Sequence, residues 1–258
     1  PTYQRTQILK LQTLKVLSEN KIQSIKIYLF VANQSQKNKY SKEVPSNLYH
    51  KIIIGKKGLK NQRNFITQYF PEGTHIVEMD DDISNIYSLI PGKNKKEHQI
   101  KKISNLDQWI QNAFRLLYHH KLYLWGVYPV YNAYFMTNKV TTDLRFIVGP
   151  FWGKINRHNK KLKITINEKE NVERTLQHYD LDKGVLRFNN ITIDTKYYQT
   201  PGGMQFEKKD RKQEALKSAT YLVKKYPNYT TLYLKKKSGF PEVKLKNITK
   251  TKKLKRKK

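Results

Sequence analysis

A short apolar run, Ile76 to Met79, ends in three consecutive aspartates, Asp80, Asp81 and Asp82, and no other feature of the 258-residue chain constrains its fold more. Three adjacent carboxylates repel one another unless a cation or a hydroxyl-rich ligand neutralises them. Many α/β proteins hold such a cluster where a strand ends at the edge of a sheet, and hard oxygen ligands suit Mg²⁺ or Mn²⁺. A solvated turn that caps the next helix is the alternative interpretation of the triplet.

The segments before the triplet predict a βαβ-type order. Residues 25–32 and 51–55 are short apolar runs of strand length, and residues 58–70 carry apolar positions at helical spacing. Residues 33–48 are polar and predict a loop or a broken element. Together with a third strand at residues 75–79, this order favours a largely parallel sheet.

The remainder of the chain continues as helices and extended segments. The predicted elements are a helix at 105–120, extended segments at 122–136 and 144–152, helices at 167–179 and about 207–225, and strands at 231–235 and 242–246. We expect one α/β domain over residues 25–246. A polar lead-in over residues 1–24 would precede it, and a disordered basic tail over residues 247–258 would follow it.

The charge of the chain indicates a polyanionic partner. Lys and Arg number 51 against 20 Asp and Glu, which gives a net charge of +31. Such a field favours nucleic acid, with an anionic membrane surface as the competing partner; a solubilising surface or an AT-rich genome would also enrich lysine. No apolar stretch approaches the roughly 20 residues that span a bilayer. The absence of cysteine excludes disulfides and zinc–thiolate sites and favours an intracellular protein.

The order of the motifs resembles the GT-A class of nucleotide-sugar-dependent glycosyltransferases. The matching pieces are the strand that ends in Val31-Ala32-Asn33, the helix that carries Lys60, Arg63 and Asn64, the triplet, the loop Gly149–Gly153 and the helical segment Glu168–Thr175. Within that class the chain resembles the TET/JBP-associated glycosyltransferases, which include the base J glucosyltransferase of DNA. The segments behind this narrower resemblance are Trp125–Asn132, Val172–Leu176, Val185–Phe188, Thr195–Tyr198 and Pro201–Met204.

The resemblance implies a single GT-A-like (Rossmann-like) domain, with a mainly parallel central sheet flanked by helices. It also implies a Mn²⁺ or Mg²⁺ ion that bridges the diphosphate of a UDP-sugar, with UDP-glucose favoured. Asp82 would ligate the metal, Asp80 would bind the metal or the donor ribose, and Asp81 would complete the donor-binding triplet.

Further donor contacts are expected from the first strand and from the helix before the triplet. Lys60 and Arg63 lie about one helical turn apart and would reach the diphosphate or the sugar, with Asn64 beside them. Asn33 would meet the nucleotide at the carboxyl end of its strand. Surface charge for Lys60 and a turn-forming role for Asn33 are the alternatives.

Glycines and aromatic residues complete the expected donor or acceptor contacts. Gly149 and Gly153 would let the backbone approach a ligand closely, and Trp152 would offer a flat face to a sugar or base, as Trp125 and Tyr128 would also do. An aromatic side chain between glycines is equally typical of a core. Gly202 and Gly203 would form either a backbone cradle for phosphate or a tight turn.

The catalytic base is where the chain departs from the family. Inverting GT-A enzymes use a carboxylate at the start of the later helix, usually the Asp of a Glu-Asp pair, and the matching pair here is Glu170-Asn171. An asparagine amide cannot serve as a general base. The role would fall to Glu170 or to Glu173, unless the register is shifted or the enzyme is impaired. A late histidine that would complete the metal site is also missing, because His178 falls too early.

The leading expectation is therefore an inverting transferase that moves a hexose, with glucose favoured, onto a hydroxymethylated base in DNA. The cell nucleus or another site of DNA replication, a viral one included, is the expected location. One alternative keeps the transferase and changes the acceptor to a protein or a glycan. The others are a nucleic-acid-binding protein without catalysis and a metal-dependent nuclease built on the triplet.

Overall fold

The computed structural model describes residues 1–195, 211–236 and 238–248 of the chain. Its α-helices are α1 Thr6–Leu11, α2 Thr13–Glu19, α3 Gln34–Glu43, α4 Leu59–Tyr69, α5 Leu106–His120, α6 Glu170–Asp182 and α7 Arg211–Lys225. Its strands are β1 Tyr28–Val31, β2 Lys51–Ile54, β3 His75–Met79, β4 Ile83–Ile90, β5 Gln99–Lys102, β6 Leu124–Tyr128, β7 Val140–Thr141, β8 Phe151–Ile155, β9 Leu186–Thr195, β10 Thr230–Leu234 and β11 Pro241–Leu245.

A mixed sheet forms the centre of the α/β domain. Its strand order is β3-β8-β6-β9-β4-β5, and β7 pairs with β9 beside this path. Strands β1 and β2 form a separate parallel pair, and β10 and β11 form an antiparallel hairpin. Helices flank the central sheet, and no helix among the described residues is both long and apolar enough to cross a membrane.

The expectation of a mainly parallel sheet is corrected by the strand pairing. Among the described strands, only β1–β2 and β6–β9 pair in parallel. The apolar runs were interpreted as parallel strands because such strands are buried on both faces. An antiparallel strand that is covered on both faces has the same composition, so composition cannot give its direction. Strands β4 and β9, which pair with each other in antiparallel fashion, were absent from the predicted order.

Residues 1–24 are part of the main core and not a polar lead-in. They form α1 and α2, and the side chains of Leu9, Leu14, Val16 and Leu17 are buried against β1, β4 and α5. Four apolar residues are few enough to be missed in a polar segment. Their burial nevertheless covers one face of the domain.

The predicted loop over residues 33–48 contains helix α3. Asn33 caps its first turn, with its Oδ1 accepting a hydrogen bond from Gln36 N at 3.0 Å. Tyr40, near the other end, is fully buried. The helix has no long apolar stripe because little more than this one large side chain enters the core, and the sequence signal was correspondingly weak.

The predicted basic tail lies mostly outside the described residues. Strand β11 ends at Leu245, and the description of the chain stops at Ile248. The second hydrophobic cluster lies near this end and packs α6 and α7 against β6 and β8, with Leu124, Trp152, Leu176 and Leu222 at its centre. The C-terminal helix and hairpin are thereby part of the domain.

Candidate active site

A cavity of about 780 Å³ opens where the central sheet, α4, α6 and the β10–β11 hairpin meet. One wall carries the aspartate triplet together with Gly149, Glu170 and Asn171, which come from three distant parts of the chain. We call this the inner wall. Other residues of the lining, which we call the outer wall, include Lys56, Lys57, Gly58, Lys169, Arg211, Lys235, Phe240 and Glu242.

Strand pairing explains why the triplet and Gly149 meet. Strand β3 is antiparallel to β8 with Met79 opposite Phe151, so the residues after β3 lie beside those before β8. Asp80 N extends the ladder by donating to Pro150 O at 2.9 Å. The triplet is further fixed by Thr13, whose Oγ1 donates to Asp80 O at 2.7 Å.

The α6 helix brings Glu170 and Asn171 to the same place. It begins after Lys169, whose φ of 62° lies in the left-handed region and turns the chain sharply into the helix. A Cβ placed at position 149 would lie 3.4 Å from Asn171 Nδ2 and 3.9 Å from Glu170 Oε1. The backbone of Gly149 therefore lies directly beside Asn171 and Glu170.

Glu170 combines burial with an incompletely satisfied carboxylate. Its side chain is 6 % exposed, and Arg174 Nη1 lies 3.7 Å from Oε2, which is too far for a hydrogen bond. Within the described part of the chain, Oε2 accepts no hydrogen bond. Burial raises the pKa of Glu170 above its ordinary value, against the opposing charges of Arg174 and Arg63. A carboxylate in this state is a stronger base than a solvated one.

Below the triplet lies a buried network of charges. Arg63 donates from Nη1 to Glu78 Oε2 at 2.6 Å and from Nη2 to Asp80 Oδ1 at 2.8 Å. Lys154 Nζ lies 3.6 Å from the other oxygen of Glu78. Burial disfavours the charge of Glu78, but Arg63 and Lys154 outweigh it and lower the pKa of Glu78. The network thus favours the ionised form of Glu78, and Arg63 holds the side chain of Asp80 in place.

The carboxylates of Asp81 and Asp82 share one guanidinium. Arg5 Nη1 lies 3.0 Å from Asp81 Oδ1 and 3.3 Å from Asp82 Oδ2. The second oxygens accept from hydroxyls, Asp81 Oδ2 from Thr2 at 2.7 Å and Asp82 Oδ1 from Thr195 at 3.0 Å. Burial, with the charges of Asp80 and Asp81 adding to it, raises the pKa of Asp82 to about 6.

The contacts of the triplet do not fit a divalent metal held by the protein. All four oxygens of Asp81 and Asp82 already accept a hydrogen bond, and Asp80 Oδ1 is paired with Arg63. Within residues 1–195, 211–236 and 238–248, no group of three or more His, Cys, Asp or Glu side chains is arranged to hold a metal ion. The expected Mn²⁺ or Mg²⁺ therefore remains a prediction from the resemblance alone.

Among the predicted site residues, Asn33, Lys60, Arg63, Asn64, Trp152 and Glu173 do not line the cavity. Arg63, expected to reach the donor, is instead buried against Glu78 and Asp80. Asn33 caps α3, and Asn64 bonds the backbone of Ile164 through both atoms of its amide. The backbone N of Lys60 donates a hydrogen bond to Asn167 Oδ1 at 3.4 Å. These three residues belong to the scaffold.

Trp152 and Glu173 are interior residues. Trp152 is 1 % exposed, and the guanidinium of Arg174 lies 3.7 Å from the centre of its ring. Glu173 accepts hydrogen bonds from Thr165 N at 2.8 Å, Thr165 Oγ1 at 2.6 Å and Ile166 N at 3.3 Å. Its carboxylate is fully occupied with holding the segment before α6. Gly202 and Gly203 lie outside the described residues.

Sequence reasoning missed Arg5, Thr2 and the outer wall. Arg5 is positioned by Tyr40 of α3, whose Oη accepts from Arg5 N at 3.0 Å. On the outer wall, Lys169 and Lys235 both pair with Glu242, at 2.7 and 3.2 Å. A lone arginine in a polar segment and lysines among 51 basic residues give no sequence signal that would have identified them.

Comparison with known protein families, with curated proteins and with solved structures gives no match.

Proposed function

We propose that the protein is a glycosyltransferase that moves a hexose from a UDP-sugar to an acceptor hydroxyl with inversion at the anomeric carbon. The observation that carries the proposal is the single cavity into which the triplet, Gly149 and Glu170 converge. The triplet, Gly149 and Glu170 belong to separate segments of the chain, and Asp80 and Glu170 are 90 positions apart. Their meeting at one cavity supports a shared function.

Glu170 is the proposed general base. The acceptor hydroxyl oxygen attacks C1 of the sugar, the bond from C1 to the diphosphate oxygen breaks, UDP leaves, and the hydroxyl proton passes to Glu170. The raised pKa of the buried carboxylate supports this role, because a proton is better accepted by a base whose pKa is nearer to neutrality. Asn171, which lines the same wall, can donate a hydrogen bond from its amide but cannot take the proton.

The proposed acceptor is a hydroxymethylated base in DNA. A set of exposed aromatic and basic side chains supports it, namely Tyr131, Tyr134, Phe135, Lys95 and Lys96. We call this set the aromatic–lysine surface. It begins just after Pro129, which lines the cavity, and its two halves meet where residues Lys95–Glu97 pack against Ala133–Phe135. Exposed rings flanked by lysines are the features with which proteins hold unpaired bases and their phosphates.

The test is a transfer assay. The wild-type protein is incubated with UDP-glucose and with matched oligonucleotide duplexes that carry 5-hydroxymethyluracil, 5-hydroxymethylcytosine, thymine or cytosine, and the products are identified by mass spectrometry. A glucose adduct confined to the hydroxymethylated oligonucleotides supports the proposal. Mutation of Glu170→Gln serves as the impaired control, because the amide keeps the shape and removes the base.

The competing functions give different products in the same assay. Cleavage of the oligonucleotide in the absence of a donor indicates a nuclease. DNA binding with neither adduct nor cleavage, for every UDP-sugar tried, indicates a binding protein. A protein or glycan acceptor remains if UDP-glucose is bound and hydrolysed but no oligonucleotide is modified.

The acceptor surface is tested separately by fluorescence anisotropy with a single-stranded oligonucleotide. The double variant Tyr131→Ala/Phe135→Ala should weaken binding about tenfold or more for each ring lost, since stacking contributes about 1–3 kcal/mol per base. Tyr233→Ala is the control. Tyr233 is 45 % exposed and Tyr131 is 46 % exposed, so the two rings are equally accessible. Tyr233, however, lies on the β10–β11 hairpin and not on the aromatic–lysine surface. Equal affinities for both variants would contradict the placement of DNA on the aromatic–lysine surface.

A further inference from the structure

The acidic triplet contains a cation that the chain itself supplies. Arg5 Nη1 bridges Asp81 and Asp82 at 3.0 and 3.3 Å, and all three side chains are at most 12 % exposed. Arg5 also lines the cavity. Since a buried ion pair is weakly screened by solvent, this guanidinium is the dominant positive charge at the two carboxylates.

A divalent ion at the same carboxylates would have to displace that guanidinium. Mg²⁺ and Mn²⁺ need oxygen lone pairs at about 2.0–2.2 Å, and Mg²⁺ tolerates little deviation from octahedral geometry. The four oxygens of Asp81 and Asp82 are used by Arg5, Thr2 and Thr195. The metal would thus exchange existing bonds for new ones, and it would leave a buried arginine without its partners.

The charges around the triplet are already close to balance. Among the described side chains, the five carboxylates of Glu78, Asp80, Asp81, Asp82 and Glu170 lie with the four cationic groups of Arg5, Arg63, Lys154 and Arg174. Each carboxylate has a cation within 3.7 Å. The carboxylates by themselves therefore do not form an uncompensated cluster that would recruit a divalent ion.

We propose that Arg5 replaces the divalent cation at this site, so that the protein binds its diphosphate-containing donor without a metal. The inference builds on the proposed function and opposes the metal requirement that the family resemblance implied. A guanidinium has five N–H donors in a planar fork and recognises phosphate oxygens directly. Facing the cavity from between two aspartates, Arg5 is held rigidly and carries its charge into the space where the diphosphate would lie.

The first experiment measures metal and donor binding to the wild-type protein by isothermal titration calorimetry. Metal-free protein is titrated with Mn²⁺ alone, with UDP-glucose in EDTA, and with UDP-glucose in excess Mn²⁺. The proposal expects no saturable Mn²⁺ site and dissociation constants for UDP-glucose that agree within about threefold in the two conditions. Binding of UDP-glucose only in the presence of Mn²⁺ or Mg²⁺, or tight binding of Mn²⁺ alone, overturns it.

The second experiment removes the guanidinium. Arg5→Ala should weaken UDP-glucose binding in EDTA about 10–100-fold, the usual cost of losing a charged hydrogen bond, and Mn²⁺ should now bind to the opened carboxylates and restore affinity. Arg5→Lys should retain most of the affinity in EDTA. Arg115→Ala, an exposed arginine on α5 away from the cavity, is the matched control.

The outcomes separate this inference from the proposed function. Metal-dependent donor binding by the wild-type protein overturns the role of Arg5 and leaves the transferase proposal standing. Failure of all UDP-sugars to bind in either condition overturns both. If Arg5→Ala does not fold, the wild-type titrations in EDTA and Mn²⁺ still decide the question, since they need no variant.

Discussion

The two ends of α6 use buried polar side chains in opposite ways. At the first turn, Glu170 lines the cavity, and its buried Oε2 accepts no hydrogen bond within the described residues. Three residues later, Glu173 accepts four hydrogen bonds, from Thr165 N, Thr165 Oγ1, Ile166 N and Lys225 Nζ. At the far end, Arg157 donates to both oxygens of Asp182, at 2.8 and 2.7 Å, and His178 lies against the same pair.

The difference distinguishes a reactive carboxylate from structural ones on the same helix. A buried polar group without a partner costs about 1–3 kcal/mol, more when it is charged, so the fold tolerates one only where something else requires it. The saturated groups hold segments of chain together. The unsaturated carboxylate of Glu170 keeps its capacity for a substrate proton.

The largest effect is expected on the reaction and not on the fold. Glu170→Gln should lower the transfer rate by about 10²–10⁴, the usual contribution of a general base. The unfolding free energy should stay equal or rise, because an amide is cheaper to bury than a carboxylate whose pKa is raised by burial. Single-turnover transfer kinetics and urea denaturation measure the two quantities. A variant that is fully active would remove Glu170 from the mechanism.

Substitution of Glu173, three residues further along α6, should instead lower stability and leave donor binding unchanged. Glu173→Ala should lower the unfolding free energy by about 1–3 kcal/mol, since it leaves two part-buried backbone N–H groups and Lys225 without this acceptor. Donor affinity in the protein that remains folded should not change, as Glu173 does not line the cavity. Urea denaturation followed by circular dichroism tests the first expectation. A loss of stability below about 1 kcal/mol would contradict it.

The far end of α6 should give the protein a pH dependence. Burial lowers the pKa of His178 to about 4, so between pH 4 and its ordinary pKa of about 6.5 the unfolded chain binds a proton that the folded chain does not. The unfolding free energy should therefore fall as pH drops through this window, by about 3 kcal/mol in total.

Urea denaturation at several pH values, on the wild-type protein and on His178→Gln, isolates this contribution. The variant has no titrating group at the position, so its stability should decline less on acidification than that of the wild type. Parallel pH profiles for the two proteins would mean that His178 titrates normally in the folded state.

The smallest effects concern Lys169 and Lys183, which flank α6 and whose backbones lie in the left-handed region. Lys183, with φ of 56°, follows α6 on the surface, and Lys183→Gly should raise the unfolding free energy by about 0.5–1 kcal/mol by removing the Cβ strain. Lys169→Gly should give less or none, because it also removes the 2.7 Å pair with Glu242. Thermal denaturation compares them. Equal gains at both positions would show that the Lys169–Glu242 pair contributes nothing to stability.

Much of the local structure could be predicted from the sequence. Strand β3 spans His75–Met79 as predicted, and helix α5, predicted over 105–120, spans Leu106–His120. Both have strong local signals, a short apolar run before polar residues in one case and an apolar stripe at helical spacing in the other. Helix α3 and strands β4 and β9 have weaker patterns and were missed, and with them the antiparallel character of the sheet.

The sequence by itself determined which residue types were available for chemistry, because a triplet of aspartates and a Glu-Asn pair are visible without a fold. Only the tertiary structure decided which of them act together. It separated Glu170 from Glu173, which are one turn apart on α6, and it brought Arg5 to Asp81 and Asp82 across 76 residues of chain. The physical reason is that a pKa, a hydrogen bond and a charge pair depend on distances in space, which strand register and burial set and local sequence does not.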